Sequence, residues 1–133
     1  MKLTSYALGE WYQPSASGVI LNHAITGTPV AEITSAGLDF AAMLDYARRV
    51  GATNLKRYTF HQRALMLKAL GQYLMERKAL FYDLSRATGA TRTDSWIDIE
   101  GGIGTMFVFA GKGRREMPNS NVYLDGHQES ISK

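Results

Sequence analysis

Cysteine is absent from all 133 residues. That removes disulfides, thiolate metal ligands and a cysteine nucleophile from anything these residues could do by themselves. Proline is scarce: Pro14, Pro29 and Pro118 leave 30–117 without one, and that gap is where helices can run unbroken. Purely apolar runs last only a few residues, far short of the roughly 20 that a membrane-spanning helix needs. The N-terminus, MKLTSYALGEWYQPSA, has no uninterrupted apolar core of the secretory kind, so the expected compartment is the cytoplasm and no membrane partner is expected. Histidine is rare and scattered over His23, His61 and His127, whereas a metal site needs three or four convergent ligands; no metal ligand is assigned.

What is present is ordinary for one globular domain: 45% hydrophobic residues, 20% charged, and 15 Lys+Arg against 12 Asp+Glu for a net charge of +3. The basic residues fall in pairs, Arg48-Arg49, Lys56-Arg57, Arg77-Lys78 and Lys112 to Arg115, each near an expected helix end where a cation complements the dipole. A nucleic-acid surface would gather them on one face, so no nucleic-acid partner is expected.

The pattern predicts an α+β chain, mainly helical. Residues 1–36 form β-hairpins, with Leu8-Gly9-Glu10-Trp11 as a tight turn between short strands. Val19 to His23 and Val30 to Thr34 are joined through Thr26-Gly27-Thr28-Pro29. Residues 37–115 form a layer of about four helices. The first covers 38–50, with Phe40, Leu44, Ala47 and Val50 inward and Gly51 as a left-handed cap. The second opens on a Thr59–Gln62 capping box and carries the stripe Phe60, Ala64, Leu67, Leu70 and Leu74. The third covers 78–87, burying Leu80, Phe81 and Leu84 before Thr88-Gly89. The fourth starts near 93–96 and extends to about Gly111, with Trp96, Ile99, Ile103, Phe107 and Ala110 as its bulky core face. A C-terminal extended segment over 119–133 is expected as a strand, a turn at Asp125-Gly126 and a second strand, as if the chain were entering a larger fold.

The fourth helix holds the least expected feature. Gly101, Gly102 and Gly104 each cost about 1 kcal/mol in a helix interior, so something should offset them. A phosphate-cradling loop fails on spacing, because the third glycine of G-x-G-x-x-G falls on Phe107 and no Gly-Lys-Ser/Thr follows. The alternative is a thin face, Gly101, Gly104, Thr105 and Val108, that another element or a ligand approaches closely. Asp94 and Asp98, four apart, are read as first-turn acids complementing the helix dipole rather than as paired catalytic carboxylates.

In order, several motifs resemble the N-terminal part of the aldehyde dehydrogenase superfamily. They are Gly9-Glu10-Trp11 in an opening hairpin, Thr26-Gly27 before a strand, and an Ala-rich helix ending in Ala47-Arg48-Arg49. Arg63-Ala64-Leu65-Met66-Leu67, Leu84 to Gly89 and Phe107-Val108-Phe109-Ala110-Gly111 continue the series. Residues 88–105 resemble the aldehyde dehydrogenase half of the bifunctional phenylacetate-degradation proteins (the PaaZ type). The semialdehyde dehydrogenases of benzoyl-CoA oxidation are a close competitor. The resemblance implies a partial piece of an α/β fold whose whole performs NAD- or NADP-dependent oxidation of a CoA-linked semialdehyde to the acid. A cysteine thiolate, hydride transfer to the nicotinamide and a glutamate base carry that reaction.

The same resemblance carries over no catalytic and no cofactor-binding residue, because the nucleophile, the nucleotide-contacting elements and the glutamate have no matching positions here. It implies a chain inactive alone, with no cofactor of its own, whose partners are the remainder of the dehydrogenase, further copies in a homo-oligomer and a CoA-thioester aldehyde. Residues 119–133 then begin the oligomerisation hairpin. The helix aligned with 96–111 borders the family's aldehyde tunnel, which makes Gly101, Gly102 and Thr105 the candidate tunnel residues; close helix packing is the competing reading of the two glycines. A different class of function, a stand-alone helical interaction module or regulator, differs in its surface. A self-sufficient module closes its own core, whereas a piece of a larger enzyme exposes an apolar face.

Overall fold

A computed structural model describes residues 1–123. Strand β1 (Ser5–Ala7) and strand β2 (Glu10–Tyr12) form an antiparallel hairpin, with Ser5 opposite Tyr12 and Ala7 opposite Glu10. Two residues connect them, Leu8 at φ 55° and Gly9 at φ 88°, the doubly left-handed turn that matches the twist of its strands. Strands β3 (Val19–Asn22) and β4 (Pro29–Ile33) form the second antiparallel pair, with a register shift at Leu21/Asn22. Pro29 opens β4 rather than lying before it, where its missing N–H costs the ladder least. The N-terminus pairs with the other edge of β4: Leu3 N–H donates to the Glu32 carbonyl at 2.9 Å, and Glu32 N–H donates to the Met1 carbonyl at 2.9 Å.

The helical layer follows. Helix α1 (Phe40–Tyr46) is capped by the Asp39 carboxylate, which accepts from Ala42 N–H. It continues without a break through a π-helical segment, Ala47–Ala52, into α2 (Thr53–Leu55). Gly51 therefore lies inside a helix and not at a left-handed cap, because 52–55 keep right-handed helical geometry beyond it. Helix α3 (Phe60–Glu76) has the expected capping box, Thr59 Oγ1 accepting from Gln62 N–H while Gln62 Oε1 accepts from Thr59 N–H at 2.9 Å. Helix α4 (Lys78–Ala87) ends at Thr88 with Gly89 in the left-handed region at φ 83°. Helix α5 (Arg92–Trp96), a second π-helical segment, Ile97–Gly101, and α6 (Gly102–Arg115) form one continuous helical rod. It begins at the Thr91 cap and runs past Gly111, the expected end.

The core lies where α3 crosses α6. Ala64 and Gly71 are the buried residues of α3, and Ile103 and Ala110 those of α6. A Cβ on Gly113 would stand 3.1 Å from the Ala64 Cβ, and one on Gly71 would stand 3.1 Å from the Phe107 ring. The close approach that the sequence places at Gly101 and Gly104 is thus made by Gly71 and Gly113. His61 ties the far end of the pair through a 2.9 Å bond between its Nε2 and the Met117 carbonyl. Phe60 N–H donates to the Ser120 carbonyl at 2.9 Å.

Several expected core residues are exposed: Trp96 by 56%, Leu80 by 66%, Leu84 by 60% and Phe40 by 63%. The chain exposes 10368 Å² in all, against roughly 6,900 Å² for a compact monomer of its mass. Helical periodicity identified the apolar stripes correctly, but a stripe is buried only where another element covers it. The strands and turn expected over 124–133 lie outside the described residues.

Replacing Gly113 with Leu puts a branched side chain against Ala64 at the tightest point of the crossing. Overpacking of this kind costs roughly 1–3 kcal/mol, only partly offset by about 1 kcal/mol from removing a helical glycine. Urea unfolding should show a lower midpoint at unchanged slope. An unchanged midpoint would mean that the crossing is not under steric control.

Candidate functional site

The rod 92–115 carries every candidate tunnel residue, and its start is fixed by hydroxyls. Thr91 Oγ1 accepts from Asp94 N–H and donates to Asp94 Oδ2 at 2.7 Å. Ser95, the most buried polar residue described, donates to the Thr91 carbonyl at 2.8 Å and meets Ser85 Oγ of α4 at 2.8 Å. Asp94 is therefore a first-turn acid, as expected. Asp98 lies in the π-helical segment, a full turn inside the rod, so the end of the dipole does not account for it.

Across from it, Glu100 accepts from Tyr82 Oη at 2.8 Å and from Lys78 Nζ at 3.1 Å, both on α4. These two bonds hold the Glu100 carboxyl below its usual range, the Tyr82 hydroxyl contributing most. Burial, and then the same hydrogen bond to Glu100, push Tyr82 up. Glu100 thus rests as a carboxylate that accepts from a neutral phenol, a structural clamp between α4 and the rod rather than a proton donor near neutrality.

Gly101 closes the π-helical segment and Gly102 opens α6. A Cβ at Gly101, Gly102 or Gly104 would meet no atom within 4 Å, so close helix packing does not explain these glycines within the described residues. Gly101 and Thr105 share one open face, four residues apart. Thr105 Oγ1 turns back to its own helix, donating to the Gly102 carbonyl at 2.5 Å, which leaves that face smooth. Gly102 borders an apolar groove of about 470 Å³ between α4 and the rod, with Phe81, Leu84, Ile99 and Met106 on its walls. The structure therefore keeps all three on adjoining parts of the rod, Thr105 being bonded to the Gly102 carbonyl, with Gly102 alone of the three bordering the groove. The π-helical geometry beneath Gly101, a frequent mark of functional positions in helices, is what sequence reasoning missed. Its only signal was the run of glycines.

The histidines do not converge. His23 Nδ1 accepts from Ile25 N–H at 3.2 Å inside its own turn, His61 binds the Met117 carbonyl, and His127 lies outside the described residues. Among the described residues no group of three or more His, Asp or Glu side chains could hold a metal. No helix among them is long and apolar enough to cross a membrane.

No family model matches the chain. Over 115 residues, 86% of its length, it is 35% identical to the 3,4-dehydroadipyl-CoA semialdehyde dehydrogenase of Aromatoleum evansii. The chain is related to the aldehyde dehydrogenases. It spans about one-fifth of that relative, 22% of its length. The described part of this aldehyde dehydrogenase-related chain does not fit a dinucleotide. Its sheets are two separate antiparallel pairs, and its glycine run lies inside a helix rather than in a strand-to-helix turn. No step through a nicotinamide is assigned to these residues.

The clamp has a pH signature. A folded-state pKa held below the unfolded value, about 4.3 for Glu, gives stability that is full above that value and lost as pH falls through the folded one. The difference in Tm between the native chain and Glu100→Gln should therefore be constant from pH 6 to about 5 and shrink below about 4. A difference that does not change with acidification would remove the carboxylate from the clamp.

Proposed function

We propose that these residues are the N-terminal part of an NAD- or NADP-dependent aldehyde dehydrogenase that oxidises a CoA-linked semialdehyde to its acid in aromatic catabolism, in the cytoplasm. The identity to a CoA-semialdehyde dehydrogenase over 86% of the chain carries this reading. Exposed apolar faces on α1 and α4, at Phe40, Leu80 and Leu84, support it, since surfaces of that kind associate. In this reading the hairpins (1–36) and the helical layer (37–115) pack on the dinucleotide-binding part of the enzyme, and 119–133 begin the hairpin through which a homo-oligomer assembles.

The 133 residues contain no cysteine, so the thiolate that attacks the aldehyde is supplied from elsewhere in the enzyme, together with the cofactor site and the glutamate base. By themselves these residues do not oxidise aldehydes. Their part in the chemistry is to shape the approach: Gly101 and Thr105 line the aldehyde tunnel with a face lacking bulk, and Gly102 thins the same rod on its groove side. A narrow wall of this sort suits a long acyl thioester.

Grafting these residues over the matching 115 of the Aromatoleum evansii enzyme tests the reading. The chimera should form reduced nicotinamide from the CoA semialdehyde, while the 133-residue chain alone should form none. A folded chimera without that activity would overturn the assignment. In the active chimera, Gly101→Leu should lower kcat/KM for the CoA semialdehyde about tenfold or more, as displacement of a substrate by a side chain does at roughly 1.4 kcal/mol, and should spare a short free aldehyde. Equal losses on both substrates would remove Gly101 from the tunnel.

A further inference from the structure

Two cavities lie against the first half of the rod. One, of about 530 Å³, lies between α4 and the start of the rod, with Tyr82, Asp83, Arg86, Arg92 and Ser95 on its walls. The other, of about 260 Å³, is walled by Tyr82, Arg92, Thr93, Trp96 and Glu100. They share Tyr82 and Arg92 on their walls and are together called the cleft; the larger alone is of the size that binds small ligands.

The charges in this cleft are unevenly matched. Asp83 is paired with Arg86. Glu100 is held by Lys78 and Tyr82, and Asp94 is engaged by its own cap at Thr91. Arg92 forms no salt bridge among the described residues, so the cleft's uncompensated charge is a guanidinium, the group best suited to phosphate. Four residues along the same rod, and therefore beside it, stands Trp96, 56% exposed. An aromatic face next to a free arginine offers a base a stacking surface and its phosphate a charge. Neither the helix crossing nor the Glu100 clamp uses either side chain.

We propose that this cleft is the docking site for the nucleotide end of the CoA thioester, with adenine against Trp96 and phosphate on Arg92. The proposal rests on the CoA-linked reading above and deepens it. It places the nucleotide five to nine residues before Gly101 on the same rod, about 7–14 Å along its axis, and the pantetheine arm spans that distance toward the Gly101–Thr105 face and the reacting aldehyde. Binding energy from the remote nucleotide then positions the aldehyde end.

The chain has two tryptophans, Trp11 and Trp96, so Trp11→Phe leaves Trp96 as the sole indole reporter. Titrating free CoA into this variant should quench the fluorescence. Arg92→Gln should weaken binding about tenfold or more, Arg92→Lys should restore part of the loss, and Trp96→Ala, followed calorimetrically, should weaken it by a similar factor, as loss of base stacking does. No binding of CoA, equal binding by all variants, or inorganic pyrophosphate binding as tightly as CoA would each overturn the site. In the chimera, Arg92→Gln should raise KM for the CoA semialdehyde and leave that for a short free aldehyde unchanged. Turnover of the CoA substrate that is indifferent to Arg92 would sink the site and leave the dehydrogenase reading standing. CoA binding that depends on Arg92, in a chimera that never turns over the CoA substrate, would do the reverse.

Discussion

The structure depends on how closely α3 and α6 approach. Ala64 faces Gly113, and Gly71 faces the ring of Phe107, each at a separation that leaves no room for a further atom. Small residues at a crossing let backbones come within dispersion range over a long line of contact, and the gain accumulates from many weak contacts. Helix α4, the rod and the second hairpin are hung on this pair. Helix α4 follows α3 through Arg77, the Glu100 clamp fastens α4 to the rod, and the second hairpin reaches the end of α4 through the 2.8 Å bond from Ala24 N–H to the Ala87 carbonyl. Loosening the crossing would let the rod rotate, and the cleft and the glycine face would move with it.

What was legible in the residues was local. The Thr59–Gln62 capping box and the stop of α4 at Thr88-Gly89 each depend on interactions within a few positions and stand where the pattern puts them, whereas the turn expected over Leu8-Gly9-Glu10-Trp11 takes only Leu8 and Gly9, because Glu10 and Trp11 already pair in β2. Burial was not legible. Leu80 and Leu84 repeat at helical spacing as core residues do, yet both are exposed, because periodicity shows which residues share a face and not what lies opposite. The same gap explains the glycines. Cost in a helix is visible at Gly101, Gly102 and Gly104, but benefit depends on a neighbour. The glycines with close neighbours proved to be Gly71 and Gly113, in stretches where a single glycine drew no notice.

The site was half legible for a related reason. Gly101 and Thr105 lie four apart, so their shared face follows from helical geometry alone. That Gly102 also borders the groove against α4 was not legible, and the π-helical turn at 97–101 ends just before it. A π turn changes the hydrogen-bond ladder without a residue signature that spacing rules detect. The Tyr82–Glu100–Lys78 clamp was equally hidden, since its members are 18 and 22 residues apart in the chain and meet only through the α4–rod packing.

The excess of exposed surface bears on both halves of the functional argument. A chain that buried its own stripes would have no reason to keep Leu80, Leu84 and Phe40 in contact with water, and burying each of them is worth about 1.5–3 kcal/mol. That unrealised stabilisation is available to whatever covers those faces. The cleft at Arg92 and Trp96 differs in holding a guanidinium that no described carboxylate pairs. It lies between α4 and the rod, its carboxylates are already neutralised by partners within the layer, and its free guanidinium would be costly to bury against apolar protein. On the proposed reading the surface is divided by function: the apolar faces at Phe40, Leu80 and Leu84 would pack on the rest of a dehydrogenase, and the cleft bordered by Arg92 and Trp96 would be left to the nucleotide of a CoA thioester.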